Sequence, residues 1–333
     1  MSGIVDLAAS VGVSPATVSR ALRGLPGVSD STREAVRAAA VRMGYVASPS
    51  ASALPTGRTN AIGVLVPWIS RWFFTTLVDG AQKVVSEAGY DMLLYPVGIA
   101  SGKPHRIDTR VLSKRVDGLL ALSVHPIPEE QAELRRFRSP VVTVGPVTAG
   151  VHSVNIDDVF AGRDAAEHLI SLGHTRIAFA GGDPADKFGF PVAPDRYTGI
   201  CNALLAHGIT PDPRLQVPAE FVVGAGHLAF DRLWDLPERP TAIIAASDEI
   251  AMGVLYRAHL RGVRVPEDCS VMGFDGHDMS YLFGLTTISQ PVREQGRVAA
   301  ALLIEMMASS AAQEPQSITM PTQLVVRSTT GPA

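Results

Sequence analysis

From residue 60 onward the chain alternates short apolar runs with helical patterns, and few folds accept that alternation. Ala61-Ile62-Gly63-Val64-Leu65-Val66 is almost continuously apolar, as a strand buried on both faces must be. A helix is expected over 73–88, then strands over 92–95, 116–122 and 141–144. A second series follows: helix 160–172, strand 177–180, helices 197–207 and 226–233, strand 242–245, helix 249–261 and strand 270–274. One long helix, 292–307, and a terminal stretch over 323–328 complete the chain. Each series predicts a parallel sheet covered by helices, so the fold class is α/β with two lobes. Of 333 residues 46% are apolar, which supplies a substantial core and excludes wholesale disorder. No run approaches the ~18 apolar residues of a membrane span. The start of the chain has no basic flank or apolar stretch of a secretory signal, so a cytoplasmic protein is expected. Cys201 and Cys269 have no metal-ligand spacing and read as small buried hydrophobes.

The net charge of −3 argues against a nucleic-acid binder, but it is unevenly spread. Residues 1–58 carry six arginines and three carboxylates, a net of +3, which leaves −6 for the remainder. One end of the chain is therefore suited to a polyanion. The first 45 residues read as three short helices. Ile4, Leu7, Ala8 and Val11 form one apolar face, and Gly12 follows as a left-handed cap. Ser14 is an N-cap with Pro15 at the first helical position, and Val18, Ala21 and Leu22 form the stripe of the second helix. A third helix starting near Ser29-Asp30 should bury Val36, Ala39, Ala40 and Met43. Ala8 allows close approach, Gly12 makes the turn and Val18 packs between the first two helices, which is the spacing of a helix-turn-helix. The second helix then exposes Pro15, Ala16, Thr17, Ser19, Arg20 and Arg23 toward a major groove. A small helical cap with no ligand is the plainer alternative.

The stretch Ile4-Val5-Asp6-Leu7-Ala8-Ala9-Ser10-Val11-Gly12-Val13-Ser14-Pro15-Ala16-Thr17-Val18-Ser19-Arg20-Ala21-Leu22 resembles the headpiece of the lactose-repressor (LacI/GalR) family. So do 28–33 and Met43-Gly44-Tyr45, and the phrases of the later region extend the likeness over nearly the whole chain. The resemblance implies a headpiece over 1–45, a hinge over 46–59 and an effector-binding, dimerising core over 60–333. The core would be periplasmic-binding-protein-like, with lobe 1 at about 60–158 and 290–320 and lobe 2 at about 159–289 and 321–333. It places Pro15 and Ala16 where base-reading side chains sit, which favours contact with a thymine methyl. Arg20 becomes the candidate for a guanine or phosphate contact, with Ser14, Thr17, Ser19 and Arg23 near the backbone. Within the hinge, Ser48 and Pro49 suit a helix start and Pro55 a stop; the family's minor-groove leucine is here Leu54. Ser48, Ser52 and Pro55 depart from the family pattern and remove phosphate contacts.

No Walker loop, GxSxG elbow, HExxH or CxxC is present, so no catalytic residue, metal or cofactor is expected. His168 and His174 flank a helix end and read as surface residues. Binding is the stronger reading, because ligands of open α/β sheets sit beyond the carboxyl ends of the strands. The resemblance puts effector contacts at Trp68, Trp72, Phe73, Asp157, Arg196, Phe221, Ser247 and Asp275, with Asp158 and Asp248 beside them. Asp275 would accept and Arg196 donate hydrogen bonds to ring hydroxyls, while Phe73 and Phe221 offer flat apolar faces. Phe74 reads as core, and Ser247 reads equally as an N-cap. Trp68 and Trp72 replace an aspartate and a proline common in the family; they either line the cleft or plug it.

The expected protein is a homodimeric, sequence-specific repressor of double-stranded DNA that recognises a pseudo-palindromic operator. Its small effector is expected to be a sugar or sugar derivative, with a nucleoside-type metabolite as the alternative and corepression left open. A solute-binding protein of the same fold is the rival class; it has no use for residues 1–58. An enzyme on a flavodoxin-like fold lacks its catalytic constellation. No leucine heptads follow Arg327, so no tetramer through a terminal coiled coil is expected.

Overall fold

The structure is a computed structural model that describes residues 3–45, 58–97, 99–100, 103–104, 109–124, 137, 139–147, 150–182, 191–309 and 314–333. The chain divides into two compact units, Met1–Asn60 and Ala61–Ala333. The smaller unit contains α1 (Ile4–Val11), α2 (Pro15–Leu22) and α3 (Asp30–Met43). Its core is Leu7, Ala8, Val18, Ala21, Val36, Ala39 and Ala40, with Met43 half-buried at the margin. Gly12 takes φ 72° and ends α1, as the turn requires. The Ser14 hydroxyl accepts from the Thr17 amide at 3.1 Å and caps α2, and Ser29 caps α3 through Thr32 at 3.3 Å. The expected hinge helix with Ser48, Ser52, Leu54 and Pro55 lies outside the described residues.

The larger unit runs β1 (Ala61–Val66), α4 (Trp72–Glu87), β2 (Asp91–Pro96), β3 (Ile99–Ala100), β4 (Lys103–Pro104), α5 (Thr109–Leu112), β5 (Gly118–Leu122), β6 (Val141–Val144) and β7 (His152–Asn155). It continues with α6 (Asp158–Ser171), β8 (Ile177–Ala180), α7 (Val192–Ala206), β9 (Gln216–Val217), α8 (Val223–Trp234), β10 (Ala242–Ala245), α9 (Asp248–Leu260) and β11 (Ser270–Asp275). The last elements are β12 (Thr286–Ser289), α10 (Val292–Ala308), β13 (Ser317–Thr319) and β14 (Gln323–Val325). Two six-stranded sheets result, in the orders β13-β7-β6-β5-β1-β2 and β14-β12-β11-β10-β8-β9. All their pairs are parallel except β12 with β14. Val64 stands opposite Leu94 and Leu120 in the first sheet, and Ile244 opposite Phe179 and Met272 in the second. These central residues are apolar because helices cover both sheet faces. The chain builds the first lobe, then the second, returns to the first with α10 and β13, and ends in the second with β14.

The helices pair closely because each contact has a glycine on both sides. A Cβ on Gly80 of α4 would overlap the Arg293 carbonyl of α10, and one on Gly296 of α10 the Leu77 carbonyl of α4. Gly162 and Gly199 serve α6 and α7 in the same way, and Gly226 and Gly253 serve α8 and α9.

Several expectations shift. Helix α7 begins at Val192, ahead of the expected 197, because its first turn carries Pro194 and Asp195 rather than the apolar stripe. The edge strand β13 escaped the sequence reading; its three residues are exposed or half-buried and carry no apolar run. His174 is buried rather than at the surface, at 2% exposure. Its ring nitrogens bond Thr241 (2.9 Å), Ser270 (3.1 Å) and the Gly331 carbonyl (3.0 Å), all distant in sequence. Cys269 is buried and Cys201 only half-buried.

Candidate functional site

In the smaller unit, the hydrogen bonding and packing of α2 sort its residues by face. Val18 and Ala21 are buried, whereas Ser14, Pro15, Ala16, Arg20 and Arg23 are exposed and Thr17 and Ser19 half-buried. The Ser14 and Thr17 hydroxyls lie 2.9 Å apart at the start of the helix, where the backbone amides also point outward. Arg23 donates from Nε to the Ser19 carbonyl at 3.2 Å and so lies along its own helix. Arg20, one turn earlier on the same exposed side, reaches toward Gly27. The result is a helix face with two small apolar side chains at its N-terminal end, hydroxyls beside them, and cations behind. That arrangement can read groove edges and hold phosphates.

In the larger unit, the polar groups converge beyond the carboxyl ends of the strands. Arg196 on α7 is 2% exposed. It donates from Nε to Asp158 on α6 at 2.8 Å and from Nη1 to the Ala246 carbonyl, just after β10, at 2.5 Å. Its Nη1 also lies 3.5 Å from Asp275 at the end of β11, and its guanidinium carbon lies 4.5 Å from the centre of the Phe274 ring. The contact of Gly162 with the Arg196 backbone seats α7 deeply enough to bring this arginine under the strand ends. Burial alone would lower the arginine pKa, but the Asp158 and Asp275 charges raise it instead and keep the fork cationic. Burial pushes the Asp158 carboxyl up, with Arg196 drawing it back down.

Asp275 has φ 103°, a left-handed conformation that costs a non-glycine residue about 1–3 kcal/mol unless its surroundings hold it. Gln290 helps hold it, donating from Nε2 to Asp275 Oδ1 at 2.7 Å, and Gln295 on α10 donates in turn to Gln290 at 2.8 Å. A hydrogen-bond chain therefore runs from the second lobe into a helix of the first. Ser247 accepts from the Ile250 amide at 3.3 Å and caps α9. Asp248 accepts from the His277 amide at 2.7 Å. Burial and the nearby Asp275 charge push the Asp248 carboxyl well above the usual range, against the Thr287 hydroxyl and the His277 amide.

The first lobe presents mainly aromatic residues. Phe74 is buried in the core as expected, with Phe73 half-buried and edge-on to it at 5.4 Å. Trp68 lies 5.8 Å from Phe74 under the Arg71 guanidinium, and Trp72 opens α4. Asp157 is exposed and caps α6 through the Phe160 amide at 2.8 Å, leaving the ion pair with Arg196 to Asp158. Phe221 is half-buried against the second core. Four contributors were not singled out by the sequence reading: Ser123, Gln290, His277 and Asp278. Ser123 ends β5 with φ 46°, a second non-glycine residue in the left-handed region at a strand end. Such backbone strain is invisible in a string of residue types.

No described helix is long and apolar enough to cross a membrane, and no described cluster of His, Cys, Asp and Glu could hold a metal ion. Residues 3–48 match the model of bacterial regulatory proteins of the lacI family, and 166–330 match a periplasmic binding protein-like domain. The chain is 34% identical to the HTH-type transcriptional repressor CytR of Escherichia coli K12, over 91% of this chain and 89% of the relative. It is 32% identical to catabolite control protein A of Priestia megaterium, over 91% and 92%. Among solved structures it resembles a transcriptional regulator CelR–cellobiose complex, with 30% identity, a TM-score of 0.69, and coverage of 99% of this chain and 100% of that one. A capped recognition-type helix at one end, a pair of parallel-sheet lobes with their polar groups at the strand ends, and relatives matched along nine-tenths of the length agree: the chain belongs to the LacI family of bacterial regulatory proteins.

Proposed function

We propose that this protein is a cytoplasmic, homodimeric transcriptional repressor whose operator affinity is switched by a sugar or sugar derivative bound between the core lobes. The observation that carries the reading is the buried Arg196 fork set between Asp158 and Asp275 at the strand ends. A carboxylate that accepts and a guanidinium that donates, fixed a few ångströms apart, match the alternating hydroxyls of a ring, while the aromatic side chains of the first lobe offer a face for its C–H side. The relative described as a cellobiose complex supports this class of effector.

Residues 1–45 read DNA through Ser14, Pro15, Ala16, Thr17, Ser19, Arg20 and Arg23. Residues 46–59 are the hinge, with Leu54 entering the minor groove. Residues 60–333 sense and dimerise, lobe 1 comprising about 60–158 and 290–320, and lobe 2 about 159–289 and 321–333. Trp68, Trp72, Phe73, Asp157, Arg196, Phe221, Ser247 and Asp275 line the effector site. An effector that prefers one closure state of the lobes shifts their relative angle and so respaces the paired hinges. Release of the operator follows when the hinges no longer meet the groove.

The test couples two titrations of the purified full-length protein. Random-site selection should return a pseudo-palindrome, and a thermal-shift screen of sugars and nucleosides should find a stabilising ligand that also weakens binding to that site. Asp275→Ala should keep the operator and lose the response. Leu54→Ala should weaken operator binding without lowering the melting temperature of the core. A protein that stays monomeric and selects no site refutes the proposal.

A further inference from the structure

The first lobe touches the second through Trp72, a residue of the proposed effector site, and through two residues of the second lobe outside that site. Trp72, the first residue of α4, donates from Nε1 to Asp278 Oδ2 at 3.0 Å. Its ring also lies 4.5 Å from the His277 ring, tilted by 31°. His277 and Asp278 are 205 and 206 residues further along the chain, on the turn that leaves β11 in the second lobe. His277 is itself fixed: its backbone amide donates to Asp248 at 2.7 Å, and its Nδ1 accepts from the Met279 amide at 3.0 Å. The ring is thus held with its proton on Nε2 and its face toward the tryptophan. Beside Trp72, Arg71 lies 3.7 Å over Trp68. The Arg71 charge is felt at Glu249 in the first turn of α9: burial and Asp275 raise that carboxyl's pKa, and the Arg71 charge lowers it. Trp72 of one lobe therefore engages two consecutive residues of the other.

We infer that Trp72, gripping His277 and Asp278, forms an intramolecular latch that holds the lobes together before any effector arrives. Besides lining the proposed cleft, Trp72 ties its rim. The latch rests on the proposed role of the cleft as the effector site, since only then does lobe closure regulate anything. The chemistry is modest and reversible. An indole N–H on a carboxylate at the rim competes with water, and ring stacking adds a small increment, so a bound ligand can reset the balance.

The experiment reads the distance between the lobes in full-length protein without effector, so it stands whether or not a ligand is ever found. Spin labels are placed on exposed positions of each lobe, Ser86→Cys on α4 and Arg232→Cys on α8, in a Cys201→Ser background. Pulsed electron resonance then gives the distance distribution. With labelled protein diluted into an excess of unlabelled protein, so that a dimer carries one labelled protomer, the latched protein should give one narrow distribution. Trp72→Ala, and independently Asp278→Ala at an exposed site that leaves the core intact, should broaden it and shift it to longer distances. Trp72→Phe, which keeps the ring on His277 but loses the N–H donor, should fall between. Distributions that superimpose on the parent in Trp72→Ala and Asp278→Ala overturn the latch. The thermal-shift screen above still decides the effector reading separately.

Discussion

Two arginines, Arg20 in the smaller unit and Arg196 in the larger, are placed in opposite ways. Arg20 is exposed on a helix whose partners are small apolar residues and hydroxyls. Arg196 is 2% exposed and held by two carboxylates and a carbonyl. A polyanion is recognised by charge still available to it, and the entropy of a loose side chain is a small cost beside the counterions released. A neutral ring is recognised by donors and acceptors held in position beforehand, which requires the charge to be compensated inside the protein. Under the proposed function one residue type does two jobs, and its surroundings decide which.

That contrast can be broken most sharply at Arg196. Arg196→Ala leaves Asp158 and Asp275 buried and facing each other, so chemical denaturation should show the larger unit losing about 3–5 kcal/mol. Arg196→Lys should recover part of the stability but not the fork geometry. A core as stable as the parent with alanine at 196 would remove the buried half of the comparison. Arg20→Ala tests the exposed half. It should weaken specific operator binding by about 1–3 kcal/mol in fluorescence anisotropy, with the melting temperature unchanged. An equal loss of stability would mean that Arg20 holds the headpiece together rather than reading DNA.

His174 sharpens the comparison through pH. Burial lowers its pKa below the ordinary 6.5, offset in part by the Gly331 carbonyl. The unfolded chain therefore takes up a proton as the pH falls below about 6.5 while the folded chain resists it, and stability falls through that window by up to about 1.4 kcal/mol per pH unit. Above 6.5 both states are neutral there and the contribution is complete. Melting curves of the core from pH 7.5 to 5 should show this decline, and His174→Gln should make it shallower, leaving the part owed to His168 and His277, whose pKa values burial also lowers. The smallest expected effect is Ser14→Ala, which removes the α2 cap and should cost the headpiece about 1 kcal/mol by circular dichroism.

The smaller unit was legible because its function lies on the face opposite its core. Once Val18 and Ala21 are assigned inward by period, Pro15, Ala16 and Arg20 must face outward, and caps at Gly12, Ser14 and Ser29 fix the ends. The strands of the larger unit were equally legible, since burial on both faces writes itself as unbroken apolar runs such as Ile243 and Ile244. The polar cluster at the strand ends was legible only through resemblance to a family. No local pattern announces that Asp158, Arg196, Ala246 and Asp275 meet, because four separate crossovers bring them together. The chain from Asp275 through Gln290 to Gln295, and the grip of Trp72 on Asp278, depend wholly on that tertiary convergence. His174 was misjudged for the same reason: its position near a helix end suggested solvent, and its partners lie 67, 96 and 157 residues away.

The return of α10 and β13 to the first lobe has a consequence for synthesis. β1 leaves the ribosome early, yet the helix that covers its sheet and the strand that closes the edge beyond β7 are among the last segments made. The first lobe must wait, its greasy strands only partly sheltered, until the second has been threaded through, whereas the headpiece is complete within its first few dozen residues. A nascent chain of this protein can thus possess a folded headpiece long before it owns the core that, in the proposed function, pairs two such headpieces on one site.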